Sequence, residues 1–401
     1  MKILVVATYP IKNPQHGGQK RADAIVTNYK AHFSSVKFVA VFAKDFYKNH
    51  SSSDIAVSFE SERLIGNSPL TGDIICGQAI LRDQKVKRKF TKLLREYNPD
   101  IIHIEQPFAY LGLKPLLNEL GMNPKIIFGS QNIEAPMKRE ILKNARVPEA
   151  DIAVAENLIN DLEHELSRKC DLLVACTKSD LALHKEMGAT RTVLAPKGVT
   201  LPQINSSDIE RWQQIFQNKG IKNSVLFVGS AHPPNWVGFL DIVGKGLGFI
   251  PTDCRIVLAG SICDYFEKEI TDKNLEIEDA TFWLRAYSAG RLTEKRLVAL
   301  IQASETIILP ITEGGGSNLK TAEAIIANKK VVATSHALRS FEWFKDYPNV
   351  WVADTKEDFQ DAIIDSLGVG FVERTPEQVE KARYVLWGHC LSTLIEEAKQ
   401  L

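Results

Sequence analysis

The sequence predicts an α/β protein made of two doubly wound, Rossmann-like domains that face a cleft, with a C-terminal helix that crosses back to the first domain. Three observations lead to this prediction. The chain has 401 residues, which is more than a single hydrophobic core usually serves. Short apolar runs alternate with longer segments of helical periodicity, as in parallel sheets covered by helices on both faces. The whole series then begins again near the middle of the chain.

The first half of the chain carries six apolar runs that predict strands. They lie at residues 2–8, 36–42, 100–106, 125–131, 171–177 and 191–199. Helical periodicity begins at about residue 19 and again at residues 151–169. This half predicts a first domain over residues 1–203.

The second half repeats the pattern after a polar helical segment at residues 202–220. Its apolar runs lie at residues 224–230, 254–260, 280–286, 305–311, 330–335 and 349–354. They predict a second domain over residues 204–375, which a C-terminal helix at 376–401 follows. Ligands of doubly wound sheets bind beyond the carboxyl ends of the strands, so the loops there are the expected place for chemistry.

Composition excludes several classes of protein. Hydrophobic residues make up 44% and charged residues 24% of the chain, which is ordinary for a globular protein and excludes disorder or a coiled coil as a description of the whole. Residues 1–200 hold 28 Lys and Arg against 22 Asp and Glu, too small an excess to indicate a nucleic-acid partner. The six cysteines show no C-x-x-C spacing, which predicts reduced thiols, no metal site and a cytoplasmic location.

The segment at residues 308–334 carries the most chemical information. A strand ends at Ile311, and the glycine loop 314–316 with the helix caps Ser317 and Asn318 follows. Glycine lets backbone N–H groups approach a ligand, and a helix N-terminus adds partial positive charge. The loop predicts an anion site for a diphosphate, to which Lys320 adds a full charge, while Glu323 can accept hydrogen bonds from a ribose. The alternative is a loose turn beside a Lys320–Glu323 surface pair.

This segment resembles the signature of the group 1 glycosyltransferases, the large retaining family of GT-B enzymes numbered family 4. The match is to the subgroup whose loop reads Gly-Gly-Gly, Thr or Ser, any residue, Leu-Lys, two residues, then Glu-Ala. The matching residues are Gly314, Gly315, Gly316, Ser317, Leu319, Lys320, Glu323 and Ala324. The segments "HGGQKR", "DIIHIEQPF", "FGSQNIEA", "VLAPKGV" and "SVLFVGSAHPPNWVGF" resemble further parts of the family in the same order along the chain.

The resemblance implies which residues bind the donor, a nucleotide-diphosphate sugar. In the second domain they are Gly229, Ser230, Gly314, Gly315, Gly316, Ser317, Asn318, Leu319, Lys320 and Glu323. In the first domain they are Gly17, Gly18 and Arg21, near the leaving phosphate. The resemblance implies retention of anomeric configuration, and we expect no cofactor and no metal.

The chain departs from the family pattern at three places. Many members have an acidic residue eight positions before the ribose Glu, where this chain has Gly315, and Glu313 is the candidate replacement. Gln131 stands where many members have a His that touches the donor sugar. The Arg and Lys that often follow the first donor-domain strand are missing from "SAHPPNW". We therefore take Glu105, Gln131 and Glu313 as the candidate catalytic residues.

The acceptor would meet the first domain. His103 and Glu105 share one face of a predicted strand, and Asn132 and Glu134 follow the end of the next, so His103, Asn132 and Glu134 are candidate acceptor-binding residues. A strand His is as often a packed core residue. The basic segment 81–97 has apolar residues at helical spacing, which is compatible with a peripheral contact at the inner face of a membrane. We favour the interpretation that segment 81–97 is a crossover helix, because a helix is required before the strand at 100–106.

The sequence thus predicts a glycosyltransferase of bacterial surface polysaccharide or glycoconjugate synthesis, with a saccharide, lipid-linked or other acceptor. Two alternatives stay open. One is another GT-B enzyme, a nucleotide-sugar epimerase or a sugar phosphorylase, and the other is a non-catalytic binding subunit. A dehydrogenase is disfavoured because neither first strand leads into a Gly-x-Gly-x-x-Gly fingerprint.

Overall fold

The computed structural model of the chain describes residues 1–58, 64–271, 277–314 and 318–401. The strands in these residues are β1 Lys2–Ala7, β2 Ser35–Ala43, β3 Ile55–Val57, β4 Ile101–Glu105, β5 Lys125–Gly129, β6 Leu172–Ala175, β7 Thr192–Leu194, β8 Asn223–Val228, β9 Cys254–Ala259, β10 Ala286–Ser288, β11 Thr306–Leu309, β12 Lys330–Ala333 and β13 Val350–Val352.

α-Helices lie between most of these strands, as the sequence predicts, but not between β2 and β3 or between β12 and β13. They are α1 Gly17–His32, α2 Gly72–Arg82, α3 Gln84–Tyr97, α4 Tyr110–Leu120, α5 Glu134–Asn144, α6 Glu149–Lys169, α7 Lys178–Glu186, α8 Ser206–Asn218, α9 Pro233–Ile242, α10 Ile262–Thr271, α11 Ile277–Arg285, α12 Glu294–Ala303, α13 Leu319–Ala327, α14 Lys356–Gly368, α15 Pro376–Ala382, α16 Trp387–Cys390 and α17 Ser392–Lys399. None of the described helices is long and apolar enough to cross a membrane.

The chain folds into two compact units, each around one parallel sheet. The first unit comprises Met1–Lys197 and Trp387–Leu401, and the second comprises Gly198–Gly314 and Asn318–Leu386. The α/β prediction of two doubly wound domains is confirmed.

The sheet of the first unit has the strand order β3-β2-β1-β4-β5-β6-β7, with every recorded pair parallel. The strands are mostly apolar because helices cover both faces of the sheet: Leu4 and Val6 join one core cluster, and Ile3 and Val5 join another. The chain runs outward in one direction from β1 and in the other from β4. The switch point of the sheet therefore lies between β1 and β4, where ligands bind in such folds.

The sheet of the second unit has the order β10-β9-β8-β11-β12-β13, again with parallel pairs. Its switch point lies between β8 and β11. The loops that follow these two strands begin at Gly229 and Pro310, and both carry residues that the sequence marks as donor-binding.

The C-terminal segment returns to the first unit, which confirms the predicted crossing. Leu391, Leu394 and Ile395 are buried in a core cluster with residues of β1 and α1. Arg191, the residue before β7, forms an ion pair with Glu397 of α17, with 2.6 Å between Nη2 and Oε2. The pair links α17 to the start of β7.

The predicted strand at residues 280–286 is wrong. The helix α11 continues to Arg285, and β10 begins only at Ala286. Phe282 is fully buried, with its ring centroid 5.4 Å from that of Phe266, whereas Leu284 is 61% exposed. One-sided burial of this kind suits a helix on the sheet, but the short apolar run alone does not distinguish the two. The short strand β3 was not predicted.

The basic segment before β4 is the crossover helix that the sequence favours. Val86, Phe90, Leu94 and Tyr97 of α3 are buried in the core of the first unit. The lysines and arginines of α3 occupy its other face.

Candidate active site

The loop after β11 in the second unit leads to the N-terminus of α13. Gly314 has φ 101°, a conformation that favours glycine. Its carbonyl oxygen accepts a hydrogen bond of 3.1 Å from His336 Nε2. Glu313 and Gly314 are exposed. Three predicted donor-binding residues, Gly315, Gly316 and Ser317, lie outside the described residues.

Asn318 is the N-cap of α13, as predicted. Its Oδ1 accepts a hydrogen bond of 3.2 Å from the backbone N–H of Lys320. Leu319 is the first residue of the helix, and both it and Asn318 are half-buried. The first turn of α13 therefore presents the positive end of the helix dipole, while the N–H groups of Lys320 and Thr321 are bonded to Asn318.

Lys320 reaches from α13 to the turn after β8. Its Nζ donates to Asn235 Oδ1 at 2.5 Å, and Asn235 Nδ2 donates to the carbonyl oxygen and to Oγ of Ser230, at 3.0 and 2.9 Å. Burial lowers the pKa of Lys320 to about 8, against the opposing effect of Glu323. A cation, a helix N-terminus and an exposed serine thus meet at the switch point of the second sheet.

Gly229 lies in a tightly packed turn. A Cβ on the neighbouring Gly260, whose φ is 98°, would lie 2.2 Å from the carbonyl oxygen of Gly229. The N–H of Gly229 already donates to Ala259 O at 2.9 Å. Ser230, in contrast, is exposed at the end of the turn. The turn presents the serine, rather than the glycine amide, to a ligand.

Gln131 follows β5 and reaches groups at the switch point of the first unit, which lies between β1 and β4. It is 2% exposed. Its Nε2 donates to Glu105 Oε2 at 2.7 Å and to the hydroxyl of Tyr9. A Cβ on Gly18 would lie 3.0 Å from Gln131 Oε1. The glycine pair Gly17–Gly18, which begins α1, therefore packs against the predicted catalytic glutamine.

Glu105 anchors a fully buried polar network. Its Oε1 accepts from His103 Nε2 at 3.0 Å, and His103 Nδ1 lies 2.8 Å from the hydroxyl of Tyr29. Arg21 Nε lies 3.5 Å from Glu105 Oε2, and Arg21 Nη1 donates to Ala195 O at 2.7 Å. His103, Glu105 and Arg21 are all 0% exposed.

The charge of Glu105 is stabilised where it is buried. Burial acts to raise the pKa of Glu105, but Arg21 and the hydrogen bonds from His103 and Gln131 lower it below its usual value. Burial and the Glu105 carboxylate raise the pKa of Tyr9 well above its ordinary value, so its hydroxyl stays protonated. The network therefore holds a carboxylate and a guanidinium as a compensated pair.

Glu134 lies in the turn that follows Gln131, where α5 begins. Its side chain is 1% exposed, and its Oε1 accepts a hydrogen bond of 3.2 Å from Gln106 Nε2. The carboxylate of Glu163, from α6, accepts the backbone N–H groups of Glu134 and Ala135, at 2.8 and 3.1 Å. Burial raises the pKa values of both carboxyl groups to about 7.

The same turn is held from α7. His184 Nε2 lies 2.8 Å from Ser130 Oγ, and Ser130 Oγ donates to the carbonyl oxygen of Asn132 at 2.9 Å. His184 Nδ1 lies 2.9 Å from Ser167 Oγ. Asn132 is half-buried. Three elements, β4, α6 and α7, thus fix the segment that carries Gln131 and Glu134.

Sequence reasoning missed several residues that shape these sites. Tyr9, Tyr29, Glu163, His184 and Asn235 belong to them, and their partners are distant in sequence. Asn235 follows two prolines in the first turn of α9, shortly after a strand end, which is a local signal that could have identified it. The others lie in ordinary amphipathic helices or at a strand end.

The two parallel sheets, their switch-point sites and the returning C-terminal segment define the chain as a protein of the GT-B class. No protein-family model matches the chain, and no curated protein matches it in sequence. Solved structures match it in fold.

HepE from Anabaena, solved in complex with UDP, is 15% identical, with a TM-score of 0.67 and coverage of 100% of both chains. Sucrose-phosphate synthase from Thermosynechococcus elongatus is 14% identical, with a TM-score of 0.69, over 100% of this chain and 99% of its own. WaaG, a glycosyltransferase involved in lipopolysaccharide biosynthesis, is 12% identical, with a TM-score of 0.58, over 98% of each chain. These likenesses show that the fold is GT-B.

The raised pKa of Glu134 predicts a pH-dependent stability. Between pH 4.5 and about 7 the folded protein keeps a proton on Glu134 that the unfolded chain releases. The free energy of unfolding should therefore fall as the pH rises through this window, by about 3 kcal/mol for this group. Glu134→Gln should remove its share and leave the part of the Glu163 contribution that burial causes, as urea unfolding from pH 4.5 to 8 would measure.

The exposed Glu96, on α3, provides the control. Glu96→Gln should keep the slope of the wild type. An unchanged slope in Glu134→Gln would show that Glu134 titrates at its ordinary pKa in the folded protein.

Proposed function

We propose that this protein is a glycosyltransferase that moves a sugar from a nucleotide-diphosphate sugar to an acceptor, in the synthesis of a bacterial surface polysaccharide or glycoconjugate. The observation that carries the proposal is the meeting of Lys320, the N-terminus of α13 and Ser230 at the switch point of the second sheet. HepE, of the same fold, was solved with UDP, and WaaG acts in lipopolysaccharide biosynthesis.

In this proposal the second unit binds the donor. Ser230, the first turn of α13 and Lys320 receive the diphosphate, because N–H groups and an ammonium group suit phosphate oxygens. Glu323, one turn further along α13, accepts from the ribose. Gly229 shapes the turn, and the loop 314–318 completes the site. Arg21 keeps the role beside the leaving phosphate that the resemblance implies; its side chain is buried, and its Nε and Nη2 have no hydrogen-bond partner in the described part of the chain.

Nucleotide binding tests the donor site. Titration calorimetry of nucleoside diphosphates and nucleotide sugars should reveal one class that binds the wild type. Glu323→Ala should weaken it about 10- to 100-fold, because hydrogen bonds to a charged group are lost. Glu373→Ala removes an exposed carboxylate of the same unit and should leave the affinity unchanged.

Failure of every nucleotide to bind the wild type would contradict the proposal. Binding without turnover on any acceptor would favour a non-catalytic subunit, and conversion of the donor without an acceptor would favour an epimerase or a phosphorylase.

The first unit would supply the catalytic groups. We propose that Gln131 contacts the reacting sugar and that Glu105 orients it, since the Glu105 carboxylate fixes which side of the amide donates. His103 supports Glu105, while Asn132 and Glu134 face the acceptor. Glu313 is the proposed acidic group of the second unit. Retention of configuration is part of the proposal, and the anomeric signal of the product in NMR would decide it.

Gln131→Ala should lower kcat about a hundredfold, on the scale of a lost transition-state hydrogen bond. The affinity for the nucleoside diphosphate, which lacks the sugar, should stay unchanged. The half-buried Gln78 side chain accepts a hydrogen bond from Arg82 on α2, so Gln78→Ala is a control for loss of an amide away from the proposed site. Equal kcat in Gln131→Ala and wild type would remove Gln131 from the catalytic set.

We propose in addition that the basic face of α3 makes a peripheral contact with an anionic membrane. An open groove of about 530 Å³ on this face is lined by Lys87, Arg88, Lys92 and Arg95. Sedimentation with phosphatidylglycerol vesicles should fall about tenfold in Arg88→Glu/Arg95→Glu. It should not fall in Lys345→Glu, an exposed site of the second unit. Equal sedimentation of all three proteins would contradict the contact.

A further inference from the structure

The side chain of Asn235 is the link between the two loops of the proposed donor site. It lies in the first turn of α9, and its partner Lys320 lies 85 residues further on in the first turn of α13. The amide has one orientation that fits. Its Oδ1 must face the ammonium group, which only donates, and its Nδ2 then donates to both oxygens of Ser230.

This arrangement leaves the ammonium group of Lys320 with donors for a further ligand. Asn235 Oδ1 is the hydrogen-bond acceptor of Lys320 Nζ in the described part of the chain, and an ammonium group has three donors. The Nζ atom also lies 5.6 Å from the ring centroid of Phe227, on β8. The ring and the amide hold the cation in place without neutralising it.

Asn235 compensates for the missing basic residues of "SAHPPNW". The turn after β8 contributes no Arg or Lys of its own, yet the amide draws the ammonium group of α13 to the carboxyl end of β8. A cation held in place before binding costs less side-chain entropy when a ligand binds.

We propose that Asn235 is a positioning residue, which holds the Lys320 ammonium group beside Ser230 so that a diphosphate bound there meets a preorganised cation. The inference rests on the proposed donor site and adds to it a residue that acts through Lys320.

Two titratable groups, Glu323 and His232, act on the charge of Lys320. Glu323 lies on the same helix and raises the pKa of Lys320, while burial lowers it more strongly. His232, before α9, lies close enough for Lys320 to lower the pKa of its imidazole, after the larger effect of burial. Asn235 itself is uncharged. Since the pKa of Lys320 is about 8, diphosphate affinity should fall as the pH rises through about 8, where the ammonium group loses its proton.

The first measurement is the calorimetric affinity for UDP, or for whichever of ADP, GDP and dTDP the wild type binds, between pH 7.5 and 9.5. Asn235→Ala should weaken binding about tenfold at pH 7.5, because the cation is no longer held. In Asn235→Ala the pH above which diphosphate affinity falls should be higher than in the wild type, because Lys320, once released to solvent, has a higher pKa. Asn218→Ala, at an exposed site on α8, should behave as the wild type.

A double-mutant cycle separates positioning from a structural effect. In a Lys320→Ala background, Asn235→Ala should cause no further loss of affinity, because the residue has nothing left to position. Asn235→Asp should weaken binding, because the new carboxylate repels the diphosphate. It should also raise the pH at which affinity falls, because the carboxylate stabilises the ammonium form of Lys320.

Additive losses in the cycle, or an unchanged pH profile in Asn235→Ala, would overturn this inference and leave the donor site intact. A wild type that binds no nucleoside diphosphate would overturn the inference and the proposed function together.

Discussion

The buried pair Arg21–Glu105 is the interaction on which the first unit's site depends. Neither side chain is exposed, and a charge in such a position is stable only when it is paired and hydrogen-bonded. Loss of one member of a buried pair typically costs about 3–5 kcal/mol. The pair therefore fixes α1 against the end of β4 and requires the neighbouring groups to satisfy the remaining lone pairs of the Glu105 carboxylate.

That requirement explains the surroundings of Glu105. His103 and Gln131 each donate to one of its oxygens, and Gly129 is needed because a Cβ there would lie 2.1 Å from Glu105 Oε1. Gln131 serves here better than a protonated histidine would, because a neutral amide adds no second cation beside Arg21. The departure from the family pattern at Gln131 is thus consistent with the charge balance of the network.

The sequence predicted most of the fold because most strands are apolar runs bounded by polar residues, and the short β3 was missed. It failed at 280–286, where only the burial of Phe282 and the exposure of Leu284 reveal a helix. Gln131 could be proposed because it follows the end of a strand, and Lys320 because it lies in the first turn of a helix after a glycine loop. Glu163 and Asn235 were not identified, since their partners lie 29 and 85 residues away.

The two units differ in the surroundings of the positive charge that each one holds, at Arg21 and at Lys320. Arg21 is buried and faces a carboxylate, so its charge is largely compensated within the protein. Lys320 is half-buried, and an uncharged amide holds it. An anionic ligand gains more from an uncompensated cation in a site of reduced polarity than from one already paired. Within the second unit, the proposed diphosphate should therefore draw most of its binding energy from α13 and Lys320, whose charge Glu323 only partly offsets.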